Sequence, residues 1–184
     1  MEISYLKEIS KSIQNDSLAL VNNISWNAKG LQQTKSLKKH LLDNRPYNDS
    51  LESVFSKISL IVQYKFNREI YESLKSSGIN LISNDSLRFS IINYYNETLK
   101  IEDLHGRFDL LIYSRDIVYP KFFKSFVMNS EAVPNDYDEL KSANDFLIYL
   151  DFLINDYNWL IDSYKNFGKI ISGLQKEIGI ELRR

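Results

Sequence analysis

Apolar positions recur at three- and four-residue steps along most of this chain, the spacing that lines one face of a helix. From Ile3 to Leu42 the stripe runs through Leu6, Ile13, Leu20, Ile24, Leu31 and Leu41, with Ser10, Ser17 and Thr34 falling on it and loosening the expected packing. A helix of that extent reaches about 60 Å at roughly 1.5 Å per residue. Pro46, within DNRPYNDS, stops it.

A second helix is expected from Asp49, which stands to Glu52 as in a capping box. Leu51, Val54, Phe55, Ile58, Ile61 and Val62 give its apolar face. A break is expected near Phe66, with Asn67 capping a fresh stretch from Arg68 to Ser77. Gly78 fits the C′ position, where a left-handed backbone is least costly for glycine. The residues INLI, 79–82, then form a short extended bridge over the end of the core.

The third helix starts from a cap at Ser83, Asn84 or Asp85. It continues through Leu87, Ile91, Tyr94, Tyr95, Leu104, Phe108, Leu111 and Ile112 towards Tyr119, with a kink or restart at Pro120. PKFFKSFVM is its last piece and NSEAVPNDYD a polar loop. The fourth helix carries a heptad seam of Ala143, Leu147, Leu150, Ile154, Tyr157, Ile161, Tyr164, Gly168, Ile171 and Ile178. Phe146, Leu153, Leu160, Phe167 and Leu174 repeat beside it, making a face wide enough for a bundle core. Long helices joined by short connections predict an all-α, antiparallel four-helix bundle, one domain over residues 1–184.

Composition agrees with that architecture: six glycines and three prolines are few for a turn-rich β fold. Basic and acidic residues balance at 23 and 24, without the basic excess of a nucleic-acid binder, so no nucleic-acid partner is expected. The absence of cysteine removes disulfides, thiolate metal ligands and thiol nucleophiles. Apolar runs such as ISLIV and FLIYL fall far short of the roughly 18–20 residues that cross a bilayer.

Candidate chemistry is sparse. Glu102 and His105 have the i, i+3 spacing of di-iron carboxylate bundles, but Leu37 stands where the only other histidine, His40, would need its glutamate. Glu102 and His105 are therefore read as part of a polar face, and neither metal nor other cofactor is expected. Glu69, Glu72 and Lys75 share a helical face, where charge pairing on a solvated surface explains them. No phosphate-binding glycine loop or nucleophile elbow occurs, and no catalytic residue is assigned. The aromatic residues of the third and fourth helices suit a ligand pocket or, at their helical spacing, the core.

The segment REIYESLKSSGINLISNDSLRFSIINYYN resembles a signature stretch of an uncharacterised family of small single-span membrane proteins of Gram-negative bacteria, a domain of unknown function. The matching positions are Tyr71, Leu74, Ser77, Gly78, Leu81, Ile82, Leu87, Arg88, Ile91, Tyr94 and Tyr95. YLKEISKSIQNDSLAL is similar to the long helix that follows the family's membrane span. The resemblance implies a transmembrane helix ahead of this segment and a periplasmic location. Glu2, which begins inside a helical pattern without a cap, accords with a cut at Met1; the alternative is a soluble, cytoplasmic relative.

The family supplies no activity to transfer. Tyr71, Gly78, Arg88, Tyr94 and Tyr95 are the signature candidates for interaction or structure, with Arg88 expected to bind backbone carbonyls or an acidic partner. DSL occurs at Asp16, Asp49 and Asp85, similar to an O-glycosylation signal of some bacterial periplasms; helix capping explains two of the three. The expected function is a non-catalytic interaction or structural domain with a protein partner, and the alternative a bundle that senses a small molecule.

Overall fold

The computed structural model describes the backbone of residues 1–107 and 110–184, with the side chains of all of these except 104–107. The expected roles of Leu104, His105 and Phe108 lie outside the described residues. Helix α1 spans Glu2–Leu42 and is followed by α2 (Ser50–Phe55) and α3 (Glu69–Ser77). A 3-10 turn at Ile79–Leu81 leads to α4 (Asp85–Arg107), then α5 (Leu110–Tyr113), a π turn at Ser114–Val118 and α6 (Tyr119–Phe122). Strands β1 (Phe123–Val127) and β2 (Glu131–Pro134) precede α7 (Tyr137–Ser142) and α8 (Asn144–Glu181). The chain is predominantly helical.

Contacts group the residues into two compact units. The first comprises Met1–Ile24, Gln63–Arg107 and Asp162–Arg184; the second comprises Ser25–Val62 and Phe108–Ile161. In the first, Leu6, Ile9, Ile13 and Leu20 of α1 are buried, with Leu74, Leu87, Ile91, Tyr94 and Tyr95 of α3 and α4 and Tyr164, Phe167, Ile171, Leu174 and Ile178 of α8. The second has a core of Leu37, Leu41, Phe55, Ile58, Tyr119, Phe123, Ala132, Phe146, Leu150 and Leu153.

Helix α8 follows its heptad pattern closely: Phe146, Leu153, Leu160, Phe167 and Leu174 are all buried, as are Leu150, Tyr157, Tyr164, Ile171 and Ile178. Helix α1 departs from its expected stripe. Ile3 is exposed and Ile24 and Leu31 are only half-buried, whereas Asp16 and Asn27 are buried; Thr34 is buried as its place on the stripe predicts. Leu6, Ile13, Leu20, Asn27, Thr34 and Leu41 lie seven residues apart, a seam whose middle is polar.

The second helix is much shorter than expected. It ends at Phe55, and residues 60–68 form no regular structure. The reason is non-local: backbone groups along this stretch find side chains of distant helices. The expected capping box is also absent. Asp49 makes no side-chain cap; Asn48 Oδ1 accepts the Ser50 amide at 3.2 Å, while Glu52 accepts the Tyr47 hydroxyl at 2.6 Å. Asn67 does accept the Glu69 amide, at 2.9 Å, ahead of α3.

Gly78 ends α3 at φ 105° and ψ 111°, a positive-φ conformation that favours glycine but is not the left-handed helical one expected. The bridge after it is a 3-10 turn rather than extended, with Ile82 fully buried. Among the three candidate caps, Asn84 Oδ1 takes the Leu87 amide at 3.2 Å.

Leu111 and Ile112 are exposed, contrary to their place on the third helix's expected apolar face. The π turn rotates the face, so that Ser114, Val118 and Tyr119 are buried beyond it. Pro120 sits in the first turn of the restarted helix, where its missing N–H costs little. That helix stops at Phe122, and PKFFKSFVM passes into a strand; part of the expected polar loop is the second strand. β1 and β2 pair antiparallel, Phe123 with Pro134 and Val127 with Glu131, with an irregularity between Phe123 and Ser125. Phe123 and Ala132 enter the core, while Asn129 supplies the turn at φ 61°.

Candidate functional site

In the first unit, three signature residues meet. Tyr71 on α3 stacks on Tyr95 of α4 with centroids 4.2 Å apart, and Tyr95 meets Tyr94 edge-on at 4.8 Å. Tyr94 also stacks on Phe167 of α8 at 5.3 Å. Beneath this aromatic group lies Asp16 of α1, 1% exposed. Its Oδ1 accepts the Tyr64 hydroxyl at 2.7 Å and its Oδ2 the Tyr94 hydroxyl at 2.5 Å. Burial pushes the Asp16 carboxyl above its ordinary value, against the opposing pull of the two phenol bonds. Burial and the neighbouring carboxylate hold both phenols well above theirs.

Gly78 and Arg88 serve the α3–α4 turn instead. Arg88 donates to the Ile82 carbonyl at 2.9 Å and pairs with Asp85 at 2.6 Å. Around that turn the Ser83 amide donates to Glu2 at 2.8 Å, and Asn84 donates to Glu181 at 2.6 Å. The Tyr5 hydroxyl bonds Ser77 at 2.9 Å. Polar side chains from the first turn of α1 and the last turn of α8 thus hold this turn in place.

Glu102, expected on a polar face, has polar partners there. It is half-buried, accepting the Phe66 amide at 3.0 Å, with Arg68 3.8 Å away. The Tyr64 amide donates to the Tyr164 hydroxyl at 3.1 Å. Glu72 and Lys75 are exposed and pair at 3.4 Å.

The second unit treats residues 58–62 in the same manner. The Asn27 amide donates to the Val62 carbonyl at 2.8 Å and accepts the Val62 amide at 2.9 Å, reproducing one rung of a strand ladder from a helix. Tyr157 donates to the Ile58 carbonyl at 3.1 Å, and the hydroxyls of Ser59 and Tyr119 lie 2.7 Å apart. The tyrosine of α8 lies hard against α1, since a Cβ at Gly30 would come within 2.6 Å of the Tyr157 hydroxyl.

Beside this contact opens a cleft of about 240 Å³. Trp26, Lys29, Gly30 and Gln33 line it from α1, joined by Lys57, Leu60, Asn129 and Tyr157. Sequence reasoning missed both Asp16 and this cleft. For Asp16 the heptad spacing to buried neighbours was a usable signal; for the cleft, Trp26, Lys29, Gly30 and Gln33 at i, i+3, i+4 and i+7 were the trace. No cluster of His, Asp or Glu able to hold a metal ion occurs among the described residues.

No family model, curated protein or solved structure matches this chain.

Proposed function

We propose that this chain is a non-catalytic interaction or structural region, built on an antiparallel four-helix plan and held outside the cytoplasm by a membrane anchor ahead of it. The observation that carries the interaction reading is the apolar surface of the second unit. Leu111, Ile112, Tyr113 and Ile117 are all about half exposed on one short stretch. Tyr113 lies 6.4 Å from Tyr149, whose neighbours on α8, Ile148 and Phe152, are exposed as well. The polar interior supports the non-catalytic part, because Asp16, Glu102 and Asn27 are engaged in fixing the fold. The anchor and the periplasmic location rest on the family resemblance.

The test is site-specific photo-crosslinking in the native host, from Ile112 and Phe152 and from the exposed Lys176 as control. Adducts from the two apolar positions alone support a partner surface. Equal adducts from all three, or none from Ile112 and Phe152, refute it. For location, the cysteine-free chain allows one introduced cysteine at Lys176 to be labelled with a membrane-impermeant thiol reagent. Labelling only after cell lysis would contradict the extracytoplasmic placement.

A second reading, the small-molecule sensor, is favoured by one observation: the cleft at Trp26. Of the tyrosines of α4 and α8, Tyr157 lines this cleft, whereas Tyr94, Tyr95 and Tyr164 are buried in the core of the first unit.

A further inference from the structure

We infer that the Trp26 cleft is a binding site for a small planar carboxylate, a single aromatic ring bearing an acid group. The inference rests on the sensor reading only in requiring that a ligand binds, and it does not depend on any response of the helices. Size sets the first limit. At about 240 Å³ the cleft lies just below the roughly 300–1,000 Å³ of drug-sized sites, room for one ring and its substituent.

The walls set the chemistry. Leu60, the Gly30 backbone and the Tyr157 ring supply an apolar floor, and the Gly30–Tyr157 contact leaves no side chain in it. Trp26 is 54% exposed, so its indole face is available to stack on a flat ring. Two lysines, Lys29 and Lys57, line the cleft as well. Lys57 Nζ donates to the Ser53 hydroxyl at 2.7 Å but has no carboxylate partner among the described residues. Lys29 has no polar partner among them at all, and neither do the side-chain amides of Gln33 and Asn129.

The cleft therefore offers two positive charges without a carboxylate partner and two side-chain amides without a polar one among the described residues. Three other clefts differ in this respect: those at Asp16, at Glu102 and at Asp136 each carry carboxylates beside their cations. A negative ligand group entering the Trp26 cleft meets cationic and amide donors without a competing anion. An inorganic anion could use the ammonium groups but would leave the indole and the floor uncovered. A neutral ring would cover the floor and leave both charges unanswered.

The experiment titrates the full chain with phenylacetate, phenylacetamide and inorganic phosphate by calorimetry, with the Trp26 indole N–H followed by NMR. The expected result is saturable phenylacetate binding that shifts the Trp26 resonance, with phenylacetamide weaker by about tenfold or more. Lys29→Gln and Lys57→Gln should each weaken phenylacetate by about three- to tenfold. Lys35→Gln, an exposed lysine of α1 outside the cleft, should leave it unchanged. Circular dichroism melting of each variant separates a lost site from a lost fold.

Equal binding of phenylacetamide would overturn the carboxylate assignment, and equal binding of phosphate the aromatic one. Absence of saturable binding by all three probes would overturn the site. Binding without any change in hydrogen exchange on α1 and α8 would leave the site standing and sink the sensor reading.

Discussion

Asp16 is a charged residue placed where an amphipathic helix ordinarily carries leucine, and its replacement by alanine tests what the polar middle of α1 does. Tyr94 is fully buried, so its hydroxyl would lose its acceptor with no water to replace it, a cost of about 1–3 kcal/mol. Tyr64 is half-buried and can turn to solvent, adding about 0.5–1.5 kcal/mol. Removing a carboxylate whose burial is itself unfavourable offsets part of this, leaving an expected net loss of about 1–3 kcal/mol. Urea denaturation of wild type, Asp16→Ala, Tyr94→Phe and the double variant measures it. The two single losses should overlap, with a coupling of at least about 1 kcal/mol. A coupling below about 0.5 kcal/mol would falsify the view that the carboxylate and the phenol act as one unit.

The pH dependence supplies an independent check. Because burial raises the folded pKa of Asp16 above 3.8, the native state holds this proton more tightly than the unfolded chain does. The group's contribution is therefore fully present below the unfolded value and is lost as pH rises through the folded one. Relative to Asp16→Asn, the wild type should gain stability on mild acidification. A gain on moving towards neutrality would contradict the assignment of burial as the dominant effect.

Three further outcomes follow from the geometry. Gly30→Ala should cost about 1–3 kcal/mol in chemical denaturation by driving the Tyr157 hydroxyl off the Ile58 carbonyl, and Tyr157→Leu should absorb part of that cost in the double variant. Gly78→Ala meets nothing within 4 Å, so its expected loss of about 1–3 kcal/mol is backbone strain alone; an unchanged midpoint would refute the positive-φ turn. Burial pushes the Asp156 carboxyl up to about 6, so this group's contribution to stability falls as pH rises from about 4 to 6. Asp156→Asn should therefore raise the melting temperature relative to wild type at neutral pH, with the advantage gone at pH about 4.

Helix α8 was legible because every core position is apolar and in strict register, so local pattern and tertiary burial agree. The Asn84 cap was legible for a similar reason, being a contact within one turn. Residues 56–65 were not, although the break near Phe66 and the Asn67 cap were. Ile58, Ile61 and Val62 fit a helical stripe, but Asn27, Tyr157, Tyr164 and Glu102 offer backbone groups between residues 58 and 66 partners from 35 to 100 positions away in the sequence. Two buried polar residues of α1 were missed, Asp16 and Asn27, because they look like surface residues until their partners are known. The hairpin lost to helical spacing even though Phe123–Val127 carries β-favouring residues and Asn129 suits a positive-φ turn. Of the signature residues, Tyr94 and Tyr95 were legible as core candidates, while Tyr71 was legible only through the resemblance, and Arg88 reached a backbone carbonyl as one of its two expected uses.

The Asn27–Val62 clamp has a consequence for how this sequence can drift. Its contacts run through main-chain atoms of residue 62, which every amino acid except proline presents alike. Position 62 should therefore accept wide replacement, whereas position 27 needs one donor and one acceptor on a side chain of fixed length. The constraint on the segment's path is written into the helix that holds it. Homologues should show a variable column at 62 facing an Asn-restricted column at 27, with proline excluded from the former.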